Sequence, residues 1–340
     1  MNNFEYAQPQ TIPEAIELLA TADNNAVVLA GGTDVIGLMK RFVVNPDRVV
    51  NIAEIPELQR ITTDDTGNTW IGAAVHLDQV LDSRSMNAFP AIKQTIQGIS
   101  SIQLQCQGTL VGELLRRPNC WYFRNGHGLL ADSGRMVVHG DNRFHAILGN
   151  RGAAKFVNPS RLAPALISLG AKVRIAGPTA DDERIIDLEA LYRTPRSDRE
   201  MENVLEPGQL VTHVMVPRDA GHLSAAYEVR HGEGPDAPLA AAAVSMSVVR
   251  GVVRGAKVVL GQVAPTPWIA AGAANAMLGL PLSEELAARA GMESTAGAMP
   301  LSQNEYKIQL AQVAVKRAIL RAAGLDTGDI PSCMASAELI

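Results

Sequence analysis

The sequence predicts an α+β protein, with two α/β lobes followed by a third segment that has a small antiparallel sheet and helices. Three observations carry this prediction. Strand and helix patterns alternate through residues 1–57. Extended pieces mixed with short helices fill residues 58–220, and long alanine- and valine-rich strands precede amphipathic helices in residues 221–325. The first lobe opens on a strand and then a helix at TIPEAIELLA, where Thr11 and Glu14 have capping-box spacing and Pro13 suits an early helical position. The strand AVVLA, a pair of glycines, a short helix ending near Phe42, the strand RVVNI and a turn at Pro56 complete it. Its layers are too thin to stand alone. From Arg60, two extended pieces fold about Asp64, Asp65, Thr66 and Gly67, a helical period follows, and a helix crosses FPAIKQTIQGI. LAPALISLG reads as a helix that hands over to a strand at Gly170, and this second lobe stops near Pro217. The third segment has strands in LSAAYEVR, APLAAAAVSMSVVRG and VRGAKVVLGQVAP, and helices in PWIAAGAANAML and SEELAARAGM. A closing helix, NEYKIQLAQVAVKRAILRAAG, carries Leu310, Val313, Ala314 and Ala318 on one face. Residues 326–340 read as a loose tail.

Composition narrows the function classes. A chain of 340 residues with 47% hydrophobic content has material for two or three cores. Its net charge of −5 argues against a sequence-wide attraction to nucleic acid or an anionic membrane. Cys106, Cys120 and Cys333 lie far apart without CxxC spacing, which points to neither a disulfide framework nor a self-contained zinc site. The start MNNFEYAQPQ lacks the charged and apolar regions of a signal peptide, and no apolar run approaches the ~20 residues that span a bilayer. A cytoplasmic location is expected.

The stretch VVLAGGTDVIGLMKRF runs from a strand through Gly31 and Gly32 into a helix. Strand, glycine turn and helix N-terminus together make a geometry that holds phosphate, because several N–H groups point one way and the helix dipole favours an anion. Neither GxxxxGK[ST] nor GxGxxG is present, so a Walker-type or Rossmann site is not indicated. An isolated Gly-Gly equally suits a plain tight turn. A second glycine-bearing stretch, QLQCQGTLVGELLRRPNCWYFRN, places Gly108, Thr109 and Gly112 ahead of another helix, and two such loops suit the clamping of one extended ligand.

In that order LAGGTDVIGLMK, GTLVGELLRRPNCWYFRN, NPSRLAPALISLGAKVRI, GQVAPTPWIA and NEYKIQLAQVAVKRAIL resemble the FAD-binding medium subunits of molybdenum hydroxylases. This is the family of xanthine dehydrogenase, aldehyde oxidoreductase and aerobic carbon monoxide dehydrogenase. The resemblance extends to about Gly324. It implies a PCMH-type, vanillyl-alcohol-oxidase-like domain with non-covalent FAD stretched between its two lobes, followed by the C-terminal domain of the hydroxylase flavoproteins. It also implies a large molybdenum-cofactor subunit and a small 2Fe–2S subunit as partners, in a dimer of heterotrimers. Electrons from the partner clusters would pass through FAD to an external acceptor, with no acid–base residue required. The positions carried over as cofactor-binding are Leu29, Ala30, Gly31, Gly32, Thr33, Asp34 and Val35 in the first loop and Thr109, Gly112 and Glu113 in the second, with Arg161, Leu210 and Glu228 further on.

Departures from the family pattern bear on that expectation. Val111 and Glu113 stand where the second loop has a glycine and an asparagine. A valine crowds a close backbone approach, and a carboxylate repels a diphosphate. Arg161 stands where an aspartate accepts a hydrogen bond from the ribityl chain, and arginine has no acceptor. Glu228 replaces a lysine near the isoalloxazine, which disfavours flavin reduction. Arg161 and Glu228 either pair across the cleft or point into solvent. The alternative function is a structural or assembly subunit whose flavin site has degenerated.

One branch of the family holds a 4Fe–4S cluster after the RCxYFR-type motif. Here only Cys120 matches, with Arg135, Ala154 and Phe156 near the other ligand positions, so no iron–sulfur cluster is expected in this chain. His127, Asp132, His139, Asp141 and His145 follow no known metal spacing and read as polar loop residues. Arg116, Arg117 and Arg124 flank Trp121 and Tyr122, and are read either as a grip on a phosphate or partner subunit or as solvated loop arginines. Cys120 reads as packing, and Cys106 as facing the ligand or as a small core residue.

Overall fold

Strands Glu5–Ala7, Arg48–Asn51 and Ala26–Leu29 form a parallel sheet with Arg48–Asn51 in the middle. The computed structural model describes residues 1–21, 25–179, 181–218, 222–232, 234 and 236–328. The rest of the expected tail, with Cys333, lies outside the described residues. Helix Ile12–Ala20 crosses this sheet. Thr11 Oγ1 accepts the Glu14 N–H at 3.3 Å, while the Glu14 carboxylate takes the N–H of Gln10 at 2.8 Å, one residue earlier than a capping box requires.

The second sheet is antiparallel throughout, in the order Ile61–Thr63, Thr69–Gly72, Leu210–Val216, Lys172–Ala176, Glu183–Asp187. Its first hairpin is set by Asp64, whose carboxylate takes the N–H groups of Thr66 at 2.9 Å and Asn68 at 3.0 Å. Helix Leu162–Ser168 is buried along its whole length in the core of this lobe, where strands Ala240–Val249 and Val252–Gly261 also pack on it. Ala15, Leu19 and Val50 of the first lobe share that one core with Ile71, Leu166 and Val214 of the second. The thin first lobe is therefore stabilised by its neighbour.

The third sheet, also antiparallel, runs Trp268–Ile269, Val252–Gly261, Ala240–Val249, Leu223–Val229, and is covered by helices Ala271–Met277, Glu284–Ser294 and Tyr306–Ala322 around a separate core. Two expectations change here. Trp268 and Ile269 are extended, pairing with Leu260 and Val259, so the helix expected from Pro267 begins at Ala271. The closing helix buries Ala311, Ala314, Val315, Ala318 and Ile319, while Leu310 and Val313 sit at its margin, because it packs on helix Glu284–Ser294 and on two strands at once.

Four short helices, Ile102–Gln107, Leu110–Leu114, Trp121–Arg124 and Arg135–His139, lie in the chain between strands Thr69–Gly72 and Lys172–Ala176. Part of this region has a small core of its own, in which Phe123, Leu129, Leu130, Ala154 and Phe156 pack with Leu38 of the first lobe. Among the described residues no helix is long and apolar enough to cross a membrane.

Candidate functional site

Strand Ala26–Leu29 ends at a turn through Gly31, Gly32, Thr33 and Asp34 into helix Val35–Lys40. The two glycines serve different ends. Gly32 has φ +69°, a left-handed conformation that favours glycine. A Cβ at Gly31 would fall 1.9 Å from the carbonyl oxygen of Gln107, so this glycine lets the second loop press against the first. Gln107 Nε2 donates back to the Gly31 carbonyl at 3.0 Å. The N–H groups of Gly31, Gly32, Thr33, Asp34 and Val35 have no partner among the described residues.

Asp34 precedes its helix without capping it. Its carboxylate reaches the other loop, accepting the Arg117 N–H at 2.9 Å and Arg124 Nη2 at 2.7 Å. Arg124 also donates to the carbonyl oxygens of Arg117 and Pro118, so one guanidinium ties the RRPN stretch to the first loop. In the second loop Thr109 caps helix Leu110–Leu114, its Oγ1 accepting the Gly112 N–H at 3.2 Å. The N–H groups of Thr109 and Val111 have no partner among the described residues. Val111 is buried in the shared core and borders the cleft, so packing absorbs the side chain that was expected to crowd a ligand.

The loops bound a cleft of three adjoining cavities. The first, about 410 Å³, lies between the glycine turns and residues 201–211. The second, about 220 Å³, contains Ile99, Leu104, Glu113, Arg116 and Arg161, and the third, about 480 Å³, separates residues 119–121 and 144–145 from the C-terminal domain. Thr33 and Thr109 line both the first and second cavities, and Asn119, Asp236 and Ala237 both the second and third. Of the residues singled out from sequence, Ala30, Gly31, Gly32, Thr33, Asp34, Val35, Thr109, Gly112 and Leu210 line the first cavity, and Glu113 and Arg161 the second. Leu29 and Glu228 line none of the three. Leu29 Cδ1 stands 3.3 Å from where a Gly32 Cβ would be, and Glu228 lies behind Arg161. Met201, Asn203, Asp236 and Ala237 were not foreseen. The PG turn at Pro207 is the one sequence signal near the first two.

The charged departures form a network. The Arg161 guanidinium meets the Glu228 carboxylate side on, with Nε to Oε1 at 2.8 Å and Nη2 to Oε2, and both side chains are buried. The solvent-facing alternative is excluded. Arg161 Nη2 and Arg230 Nη1 both donate to the Gly98 carbonyl oxygen, and Arg230 Nε lies 3.7 Å from Glu228. A Cβ at Gly98 would be 2.7 Å from Glu228 Oε2, so the pair closes only over a glycine. Glu113 accepts the Arg161 backbone N–H at 3.1 Å and meets Arg116 Nη1 at 3.3 Å. Three guanidinium groups thus surround two carboxylates, and the negative setting expected from Glu113 and Glu228 does not arise. Arg117 pairs with buried Glu202 and stacks on Phe123, whose ring centre lies 4.9 Å away. Arg117 and Arg124 are therefore engaged within the chain, whereas Arg116 pairs with Glu113 on the wall of the second cavity.

Cys106 is exposed. Cys120 packs beside the small core, its Sγ 3.2 Å from His145 Nε2. Burial raises the thiol pKa, and burial together with the Lys307 charge lowers that of His145 to about 4, so the contact joins two neutral groups. Ala154 and Phe156, near expected cluster-ligand positions, are core residues. Asp132 pairs with Arg135 and Asp141 with Arg143. Among the described residues no group of three or more His, Cys, Asp or Glu side chains is placed to hold a metal ion.

Residues 2–219 match the family described as FAD binding domain in molybdopterin dehydrogenase, and residues 225–322 match the CO dehydrogenase flavoprotein C-terminal domain. The chain belongs to this flavoprotein family. The aldehyde oxidoreductase FAD-binding subunit PaoB of Escherichia coli K12 is 30% identical over 92% of this chain and 96% of its own length. The carbon monoxide dehydrogenase medium chain of Afipia carboxidovorans is 26% identical over 94% of this chain and 96% of its own. The crystal structure of the Cu,Mo-CO dehydrogenase shares the fold with a TM-score of 0.75 at 24% identity, covering 95% of this chain and 98% of that one. Quinoline 2-oxidoreductase from Pseudomonas putida 86 gives the same TM-score at 21% identity, with the same coverage. FAD is the cofactor of this flavoprotein chain, which works as part of an oxidoreductase. The residues present fit it: an extended cleft carries unpartnered N–H groups at the junction of its first two cavities for an anionic diphosphate, with space on either side for the rest of the molecule.

Proposed function

We propose that this chain holds FAD non-covalently and relays electrons from a 2Fe–2S partner, fed by a molybdenum-cofactor subunit, to an external acceptor in a dimer of heterotrimers. The observation that carries this reading is the pair of glycine turns, pressed together at Gly31 and Gln107, whose N–H groups face no partner in the chain. FAD supplies the redox chemistry when bound, and the protein supplies position and charge. The N–H groups of residues 31–35, with those of Thr109 and Val111, hold the diphosphate at the junction of the first two cavities. Asp34, through Arg117 and Arg124, keeps the loops at a fixed separation. Arg161 is oriented by Glu228 and offers Nη1, which has no partner among the described residues, to acceptor oxygens of the ribityl chain. Leu210 and Asn203 bound the adenosine end.

The test is FAD stoichiometry in purified protein, read from the visible flavin band and from FAD released on denaturation. Near-full occupancy is expected, and Gly32→Val should abolish it because a β-branched residue cannot hold φ near +69°. Colourless protein that refuses added FAD refutes the reading.

A further inference from the structure

A groove of about 460 Å³ shares no lining residue with the three cavities of the cofactor cleft. It lies on the segment that holds the small core, between residues 133–139 on one side and 151–155 on the other. A strained turn shapes it. Ala131, Asp132, Ser133 and Gly134 run consecutively through the left-handed region, with φ of 48°, 57°, 54° and 86°, which residues other than glycine adopt rarely. The turn brings Gly134 against the other wall, where an added Cβ would fall 2.6 Å from the Ala153 carbonyl oxygen and 3.2 Å from the Lys155 side chain. The groove is positive on a chain of net charge −5, for Arg135, His139, Arg151 and Lys155 line it and no carboxylate does. Asp132, outside the lining, offsets one charge by meeting Arg135 Nε at 3.0 Å and Nη2 at 2.6 Å. Lys155 Nζ donates to the Asn150 carbonyl oxygen at 2.6 Å, which orients the ammonium without neutralising it. Arg151 and His139 are exposed, and their side chains have no partner among the described residues. The Ser133 hydroxyl and the backbone N–H groups of Arg151, Gly152 and Ala153 have none there either. Convergent donors with uncompensated cations and no competing carboxylate suit the oxygens of a phosphate group. The groove has room for more than that group, and half-exposed Val138 offers its organic part an apolar wall.

We infer that this groove binds a small phosphate ester, with its phosphate among Arg135, Arg151 and Lys155 and its organic part laid on Val138. The site stands apart from the flavin reading. It bridges two stretches that are anchored separately to the C-terminal domain: Asn142, beyond helix Arg135–His139, accepts the Gln303 N–H at 2.9 Å, and Asn150 Nδ2 donates to the Met299 carbonyl oxygen at 2.9 Å. A ligand there ties the two together, and so raises the melting temperature of the chain.

The experiment titrates FAD-loaded protein, its FAD content measured first, with ADP by calorimetry. Adenosine is the control ligand. One equivalent of ADP should bind saturably and more weakly as salt is raised, adenosine should not bind, and Arg151→Glu should weaken ADP about tenfold or more at unchanged FAD content. Gly152→Glu should act alike and decides if Arg151→Glu fails to fold: its Cβ meets nothing within 4 Å, so the substitution fits the fold and sets a carboxylate in the groove. Absence of saturation, adenosine binding as tight as ADP, or undiminished binding by a folded variant overturns the inference. Two further arms test the ligand class. Inorganic phosphate that binds as tightly as ADP would make the ligand a free anion, and a poly-glutamate peptide that binds more tightly would make the groove a docking surface for an acidic protein; either result overturns the inference. Failure of the flavin reading shows separately, as protein without FAD, and the same variants then decide, since ADP seated at the glycine turns would ignore them.

Discussion

The glycine loops and the segment spanning residues 117–158 face the same cleft, yet they are held together by opposite means. In the loops, backbone conformation does the work: Gly32 takes a left-handed turn, Gly31 admits Gln107, and Thr109 caps its helix. In residues 117–158, side-chain packing does it. Phe123, Leu129, Leu130, Ala154 and Phe156 make an apolar plug, and two of them, Ala154 and Phe156, stand near positions where the cluster-bearing branch of the family would need thiolates. The difference teaches that the diphosphate end tolerates few residue types, because N–H groups must converge there, whereas a loop held by side-chain packing needs only apolar groups that fill its core. Asp34 joins the two regions, since its carboxylate holds Arg117 and Arg124 from the other side.

The largest expected effect lies between those regions, at the ion pair. Removing one partner of a buried, doubly bonded pair leaves the other charge uncompensated, so Arg161→Ala or Glu228→Ala should each cost about 3–5 kcal/mol by chemical denaturation. The double variant should cost clearly less than the sum of the two, and additive losses would show that the pair is not coupled. Next comes the packed segment. The His145 imidazole titrates at about 4 in the folded chain because of burial and the Lys307 charge, against about 6.5 unfolded, so the unfolded chain binds the proton first. Stability present above pH 6.5 should fall as pH drops toward 4, by about 3 kcal/mol at most, and His145→Gln should lack this part of the slope. A parallel pH profile for the variant would contradict the assignment. The smallest effect is at the joint. Asp34→Ala should cost about 1–3 kcal/mol, because it leaves a half-buried N–H and a guanidinium without their acceptor, and should weaken FAD retention in dialysis more than it lowers the melting temperature. Unchanged retention would mean the loops keep their spacing without it.

How much of this was legible in the sequence follows the same division. The first loop reads correctly because two adjacent glycines between a strand and a helix have few uses. Strand Glu183–Asp187 was not separable, since it is an exposed edge strand of mostly polar residues without a buried face to give it a period. The Asp34 contact with Arg124, across 90 residues, and the Arg161 contact with Glu228, across 67, leave no local trace, as each residue alone looks like an ordinary surface charge. The pairing of Arg161 with Glu228 was open from sequence only because both departed from one family pattern. Asp236 and Ala237 enter the cleft by domain packing, which no spacing announces.

The central claim is that this chain has the flavin site of its family and, after Cys120, a small packed core rather than ligands for an iron–sulfur cluster. The most direct test is one sample of purified protein assayed at once for FAD, iron and acid-labile sulfide. About one FAD per chain with no stoichiometric iron or sulfide is the predicted result. A four-iron cluster, or protein devoid of FAD that takes up none, would contradict it.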